Sequence, residues 1–251
     1  MKKIGIVGGV SWASTVDYYS EICRRSEEWH LAVNPNGVSS TPEMSIESLD
    51  HSKAVSLLGV NEEDASWLQF DEYHRAALRR LEASGADFGL IASNTPHHRL
   101  ASIVKGIGIP VISIFEVLAR ESVRLKANQV LILGTALTMR SHKLREEFMK
   151  RGIEAASPQD EAARETTIDL IEALQLGRFE GTAERLGGIA KVVIDKQFRS
   201  QPLVCLACTE LPLAFPAHKT QAVFECDGVQ YLNSTAAHIN AAFDFASQRT
   251  R

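Results

Sequence analysis

Six short apolar runs recur along this 251-residue chain, each closing on a small or polar residue, with longer amphipathic stretches between them. Residues 3–7, 88–92, 111–114, 130–133, 203–207 and 223–225 are near-continuously hydrophobic rather than alternating. Strands of that kind are covered on both faces, which is the pattern of a parallel sheet between helix layers. The intervening stretches carry helical spacing and helix punctuation. Helices are predicted over 14–29, 62–84, 96–105, 115–126, 141–151, 160–176, 181–198 and 234–248. In 62–84, for example, Trp67, Phe70, His74, Ala77, Leu78 and Leu81 fall on one face, and the run stops before Gly85. Alternating strands and helices specify an α/β fold with parallel sheets. Residues 31–50 fit least well, being rich in Asn, Pro, Gly and Ser ahead of a short strand near 43–48. An irregular stretch of that length in an α/β chain reads as a lid over a site.

The runs also repeat. Lys3-Ile-Gly-Ile-Val-Gly-Gly9 resembles Gln129-Val-Leu-Ile-Leu-Gly-Thr135, and Gly89-Leu-Ile-Ala-Ser93-Asn-Thr95 resembles Val204-Cys-Leu-Ala-Cys208-Thr-Glu210. Each half then offers a further strand, 111–114 or 223–225. Polar residues at matching offsets favour two similar α/β halves over chance likeness among strands. The halves are drawn as residues 1–118 with 229–251, and 119–228. Ligands of open α/β sheets bind at the carboxyl ends of strands. The expected site is therefore a cleft between the halves, with Ser93 on one wall and Cys208 on the other.

Composition excludes several classes. Hydrophobic residues are 45% and the formal net charge is −4, so neither a disordered chain nor a basic nucleic-acid footprint is expected. No stretch approaches the roughly 20 apolar residues of a membrane helix, and the start lacks a signal-peptide pattern. A reducing, cytoplasmic setting with free thiols is the expectation for the four cysteines at 23, 205, 208 and 226.

Individual motifs narrow the chemistry. Gly5-Ile-Val-Gly8-Gly9 is half of a dinucleotide fingerprint with the wrong spacing, and it reads equally as a tight turn. Cys205-Leu-Ala-Cys208 has no second ligand pair for zinc. Strand alternation sends its two thiols to opposite faces. Cys205 reads as a core thiol. Cys208, beside Thr209 and Glu210 at the strand end, reads as functional. His97-His98-Arg99 do not make a metal site, because adjacent histidines do not share a helix face. Cys23 and Cys226 carry no motif and read as structural.

Taken together, four segments resemble the aspartate/glutamate racemase family. Gly8-Gly9-Val10-Ser11-Trp12-Ala13-Ser14-Thr15 with Tyr18-Tyr19 is similar to its GGMSWEST…YY opening, and Ser93-Asn94-Thr95-Pro96-His97 to its CNTxH motif. Leu133-Gly134-Thr135-Ala136-Leu137-Thr138-Met139 is similar to LGTxxTM, and Cys208-Thr209-Glu210-Leu211 matches CTEL. The resemblance implies two pseudo-symmetric α/β domains, a homodimer, an acidic amino acid or dicarboxylate as substrate, and no cofactor or metal. It implies that a pair of cysteines works on opposite faces of the substrate Cα, one removing the proton and the other donating it. Thiols suit the task because they hold measurable thiolate near neutrality. Backbone amides and hydroxyls around the carboxylate would stabilise the developing enediolate. By the same resemblance Gly9, Ser11, Thr15, Asn94, Thr95, Thr135, Thr138, Thr209 and Glu210 are the substrate-binding residues.

The first catalytic cysteine is absent, and Ser93 stands in its place. A serine hydroxyl is a far poorer base. Family members with a hydroxyl residue here look specialised for one enantiomer, so Cys208 is expected to deprotonate an L-amino acid. Val10 and Ala13 replace Met and Glu in the opening motif, and Pro96 and His98 replace Met and Lys after the second. For the substrate's second carboxylate the candidates are Lys53, Arg99 and Arg178. The alternatives are a single-cysteine decarboxylase or isomerase of the same superfamily, and an inactive protein that binds small acids.

Overall fold

The computed structural model describes residues 1–60 and 65–248. The chain divides into two compact units, Met1–Ser113 with His238–Arg251, and Ile114–Ala237. The expected halves broke instead at 118/119 and 228/229. No helix among the described residues is long and apolar enough to cross a membrane.

The first unit opens with β1 (Ile4–Gly8), every residue of which is buried. A turn at Gly9 leads into α1 (Trp12–Val33). There follow β2 (Met44–Ser48), α2 (His51–Ser56), a short 3-10 turn at Ala65–Trp67, α3 (Leu68–Ala83), β3 (Phe88–Ile91), a second 3-10 turn at Thr95–Arg99 and α4 (Leu100–Ile103). The three strands are parallel in the order β2-β1-β3. The predicted start of the third helix at Glu62 lies outside the described residues. The six apolar residues that predicted α3 and the turn before it all face inward.

Two expectations change here. Residues 31–50 do not form a lid. α1 continues to Val33, the Ser26 hydroxyl donates to the Ser40 carbonyl at 2.7 Å, and β2 pairs residue for residue with β1. Residues 111–114 are not a full strand. Only Val111 bridges to Gly89, since Pro110 has no amide to continue the ladder and Ile114 already begins a helix.

The second unit runs α5 (Ile114–Arg124), β4 (Gln129–Gly134), α6 (Ala136–Arg140), α7 (Lys143–Met149), β5 (Glu154–Ala156), α8 (Glu161–Gln175), α9 (Thr182–Gln197), β6 (Leu203–Ala207), a 3-10 turn at Leu211–Ala214, β7 (Val223–Cys226), β8 (Val229–Asn233) and the first turn of α10 (Ser234–Ala246), which from His238 on belongs to the first unit. The sheet order is β5-β4-β6-β8-β7. All pairs are parallel except β7 with β8. The run at 223–225 is therefore an antiparallel edge strand. The parallel neighbour of β6 is β8, which sequence reading left out. Asp227 and Gly228 join the two strands with φ of 49° and 76°, the positive values that a two-residue hairpin requires. β5 was also unforeseen, because Glu-Ala-Ala carries no strand preference.

Burial follows the periodicity. In the first unit Ile4 and Ile6 of β1 pack with Phe88 and Leu90 of β3, against Tyr18 and Ile22 of α1 and Ile239, Ala242 and Ala246 of α10. In the second, Leu131, Leu133, Val204 and Leu206 of the central strands pack on Leu170 and Leu174 of α8 and on Leu186, Ala190 and Val193 of α9.

Candidate active site

Parallel strands that share a register end at one level, and this sets the polar residues out in rows. In the second unit β4 and β6 pair through Gly134 and Ala207. The next residues are therefore Thr135 and Cys208. β6 and β8 pair through Leu206 and Asn233, after which α10 begins. Each strand end is followed by a helix or turn that points its N-terminus at this edge, where unpaired amides favour anions.

Cys208 is buried, in contact with the apolar cluster behind it and with polar groups ahead. Its Sγ lies 3.0 Å from Glu210 Oε2, to which it donates its proton. The Thr209 hydroxyl donates to the same carboxylate oxygen at 3.0 Å. Burial pushes the thiol well above the usual cysteine range, and the charge and acceptor of Glu210 push it further. The backbone amides of Glu210 and Leu211 act in the opposite direction. Cys208 therefore rests as a thiol with a carboxylate in place to take its proton. Cys205, three residues earlier, lies inside β6 and is raised by burial alone, as its reading as a core thiol requires. All four cysteines are free. Thr135 caps α6, accepting from the Thr138 amide, and its hydroxyl also meets the Thr138 hydroxyl at 3.1 Å.

The first unit has a matching edge with different contents. Val7 pairs with Ile91, so Gly9 and Ser93 are level two steps on. Gly9 has φ of +83°, and a Cβ there would sit 2.1 Å from the Leu49 carbonyl oxygen. The glycines thus serve a tight turn with a close backbone approach. The Gly9 amide donates to the Thr15 hydroxyl at 2.9 Å, and that hydroxyl donates to the Ser11 carbonyl at 2.9 Å. Ser11 caps α1 through the Ser14 amide. Both side chains are thus engaged in shaping this turn. Ser93, Asn94, His97 and His98 are buried where β3 passes into its 3-10 turn, with Thr95 partly buried beside them.

The same unit holds a group of buried histidines that sequence reading did not connect. His238, on α10, donates from Nε2 to the Ile112 carbonyl at 3.0 Å, which leaves Nδ1 to accept from the Tyr18 hydroxyl at 2.7 Å. The His97 ring stands edge-on to His238 with centroids 5.5 Å apart, its Nε2 against the Ile91 carbonyl. Burial lowers the His238 pKa to about 4 and His98 to about 3. Burial, followed by the nearness of His238, drives His97 well below the usual range. These rings are neutral at pH 7. The chain order that could have exposed them is the return of α10 to the first unit.

The three candidate cations separate. Arg99 grips the buried Asp71 with two bonds, Nε to Oδ1 at 3.1 Å and Nη2 to Oδ2 at 2.7 Å. Arg178 follows the C-terminus of α8, the helix whose N-cap Asp160 accepts from Lys196 Nζ of α9 at 3.2 Å. Lys53 lies on α2, directly after β2 at the carboxyl edge, with Nζ 4.7 Å from the Tyr73 ring centre.

Against known proteins, the family model for Asp/Glu/hydantoin racemases matches residues 7–242. A candidate Asp/Glu racemase from Yersinia pestis has 25% identity and a TM-score of 0.80, over 99% of this chain and 100% of that one. An aspartate racemase homologue from Pyrococcus horikoshii has 27% identity and a TM-score of 0.76, over 98% and 100%. A double mutant of arylmalonate decarboxylase, at 12% identity and TM-score 0.55 over 100% and 95%, shares the fold alone. With two parallel α/β units, polar rows at the strand ends and a family match across nearly its whole length, this chain belongs to the Asp/Glu/hydantoin racemase family.

Proposed function

We propose that this protein is a cofactor-independent amino-acid racemase, or an L-specific relative of one, that moves the α-proton of an aspartate- or glutamate-like substrate with a thiol. The observation that supports it most is the Cys208 thiol held at 3.0 Å from the Glu210 carboxylate. In the forward step the substrate Cα–H bond breaks and its proton passes to Sγ, while the proton already on Sγ passes to Glu210. The electron pair delocalises into the α-carboxylate as an enediolate, stabilised by amides and hydroxyls of the strand ends, Thr209 among them. Ser93 holds the place of the first cysteine in the family motif. Its hydroxyl, buried and with no carboxylate partner of the Glu210 kind among the described residues, relays a proton but does not start abstraction. The asymmetry restricts deprotonation to the L-enantiomer. For the second carboxylate Lys53 and Arg178 stay as candidates, since Arg99 is committed to Asp71.

The test is NMR of L-aspartate and L-glutamate in D₂O with catalytic amounts of protein. Loss of the α-proton signal is expected, and its absence with every acidic amino acid would sink the proposal. The presence of a thiol on one edge and a hydroxyl on the other favours one second reading. A lone thiol also suits decarboxylation, in which it protonates from one face the enediolate left by CO₂ loss. Release of CO₂ from a substituted malonate, with no α-exchange of amino acids, selects that reading.

A further inference from the structure

Thr235 is a buried polar residue that none of the motifs includes. It is the second residue of α10, a helix of 13 residues whose first turn is capped by Asn233 Oδ1 accepting the Ala236 amide at 3.1 Å. Thr235 itself is 5% exposed, and its hydroxyl oxygen is buried with no hydrogen-bond partner among the described residues. An unmatched buried hydroxyl costs on the order of 1–3 kcal/mol, so its retention needs a reason. Its position supplies one. The register that pairs Leu206 with Asn233 ends β6 and β8 side by side, so that Cys208 follows one strand and the first turn of α10, with Thr235, follows the other, as Thr135 follows β4. The strand that ends at the thiol thus lies between the two that end ahead of Thr135 and Thr235. Thr135 is engaged with Thr138, whereas Thr235 offers a donor at the positive end of a helix.

We infer that Thr235 is a substrate-binding residue, its hydroxyl and its first-turn amide donating to the α-carboxylate of the amino acid that Cys208 deprotonates. This rests on the racemase reading and adds a contact to it. A carboxylate is the fitting ligand because a hydroxyl without an acceptor and a helix N-terminus both demand negative charge. It is the α-carboxylate because a thiol that reaches Cα has only that group one bond away. The two donors gain strength as the carboxylate becomes an enediolate, so their effect falls on the chemical step as well as on binding.

The experiment compares Thr235→Val and Thr235→Ser. The valine variant keeps the shape and removes the donor. It is expected to lower kcat/KM for α-proton exchange of L-aspartate at least tenfold, while its melting temperature holds or rises because the orphan hydroxyl is gone. The serine variant is expected to stay within threefold of the parent. A structural role predicts the reverse pattern, with stability lost and exchange kept. Valine exchange within twofold of the parent overturns the inference. A binding readout keeps the inference apart from the racemase reading. In protein labelled with [¹⁵N]threonine, the Thr235 amide is the peak that Thr235→Val removes. It is expected to move on titration with succinate or L-aspartate in a Cys208→Ala background, where no turnover occurs. A shift without exchange in the parent protein overturns the racemase reading and keeps the carboxylate site. No shift at saturation overturns the site even where exchange is observed.

Discussion

The two units end their central strands in the same way and put different chemistry there. At the end of β3 stands Ser93, in the unit with the neutral histidines that are satisfied by the Ile112 and Ile91 carbonyls and the Tyr18 hydroxyl. At the end of β6 stands Cys208, with the Glu210 carboxylate against its thiol. One edge is polar, with no carboxylate hydrogen-bonded to Ser93 among the described residues. The other is an acid–base pair. A doubled scaffold therefore supplies two equivalent positions, and their neighbours decide which one is reactive. The thiol differs from the hydroxyl by a single atom, yet the difference matters because, among the described residues, the carboxylate that would relay the proton stands on the thiol's side.

The largest expected effect removes that difference. Cys208→Ala should lower α-proton exchange by about 10³- to 10⁴-fold, the scale of a lost general base. The far-ultraviolet circular dichroism should remain that of the parent. Exchange that survives the substitution assigns the base to another residue.

Acid should next separate the units by stability. The folded pKa values of His98 and His238 lie near 3 and 4, below the unfolded value of about 6.5. The unfolded chain therefore binds more protons as pH falls below about 6.5, and stability drops between there and pH 4. Each histidine contributes up to about 1.4 kcal/mol per pH unit in that window. Hydrogen exchange at pH 7 and pH 5 should show protection lost first in β1, β3 and the histidine end of α10. Equal loss in β4 and β6, which belong to the other unit, would show that the buried rings are not the cause.

Glu210→Gln breaks the acid–base pair while keeping its shape. Exchange should fall about 10- to 100-fold. The pH midpoint for alkylation of Cys208 should fall too, since the carboxylate no longer opposes thiolate formation. A midpoint that rises contradicts the role given to this carboxylate. Ser93→Cys sharpens the comparison from the other side. It should raise α-exchange of the D-enantiomer about tenfold, with the L-rate little changed, as read by NMR on each enantiomer separately. The smallest effect is on recognition. Lys53→Met should raise KM for L-aspartate several-fold and leave kcat near its original value. An unchanged KM moves the second carboxylate elsewhere.

Much of this was legible along the chain. Buried parallel strands are continuous apolar runs because both faces are covered, so β1, β3, β4 and β6 stood out. The polar residue closing each run marked Ser93 and Cys208 as strand-end positions, and the order of four motifs carried the family. β8 was passed over although Asp227-Gly228 is a strong hairpin signal, and with it went the partner strand that brings α10 to the site edge. β5 has three residues of weak preference and owes its place to its pairing with β4.

The sequence by itself thus determined the α/β class, the two related halves, the family and the exchange of a cysteine for Ser93. Those follow from local pattern, since periodicity and motif spacing report how each segment meets its surroundings. Only the tertiary structure decided which groups meet one another. It turned Arg99 toward Asp71, buried the histidines of residues 97, 98 and 238, and set the first turn of α10, with Thr235, next to the strand that ends at Cys208. The pairs Arg99 with Asp71, Tyr18 with His238 and Leu206 with Asn233 are 28, 220 and 27 residues apart in the chain. No local pattern carries such pairings, because they arise from strand register and from the path of a returning helix.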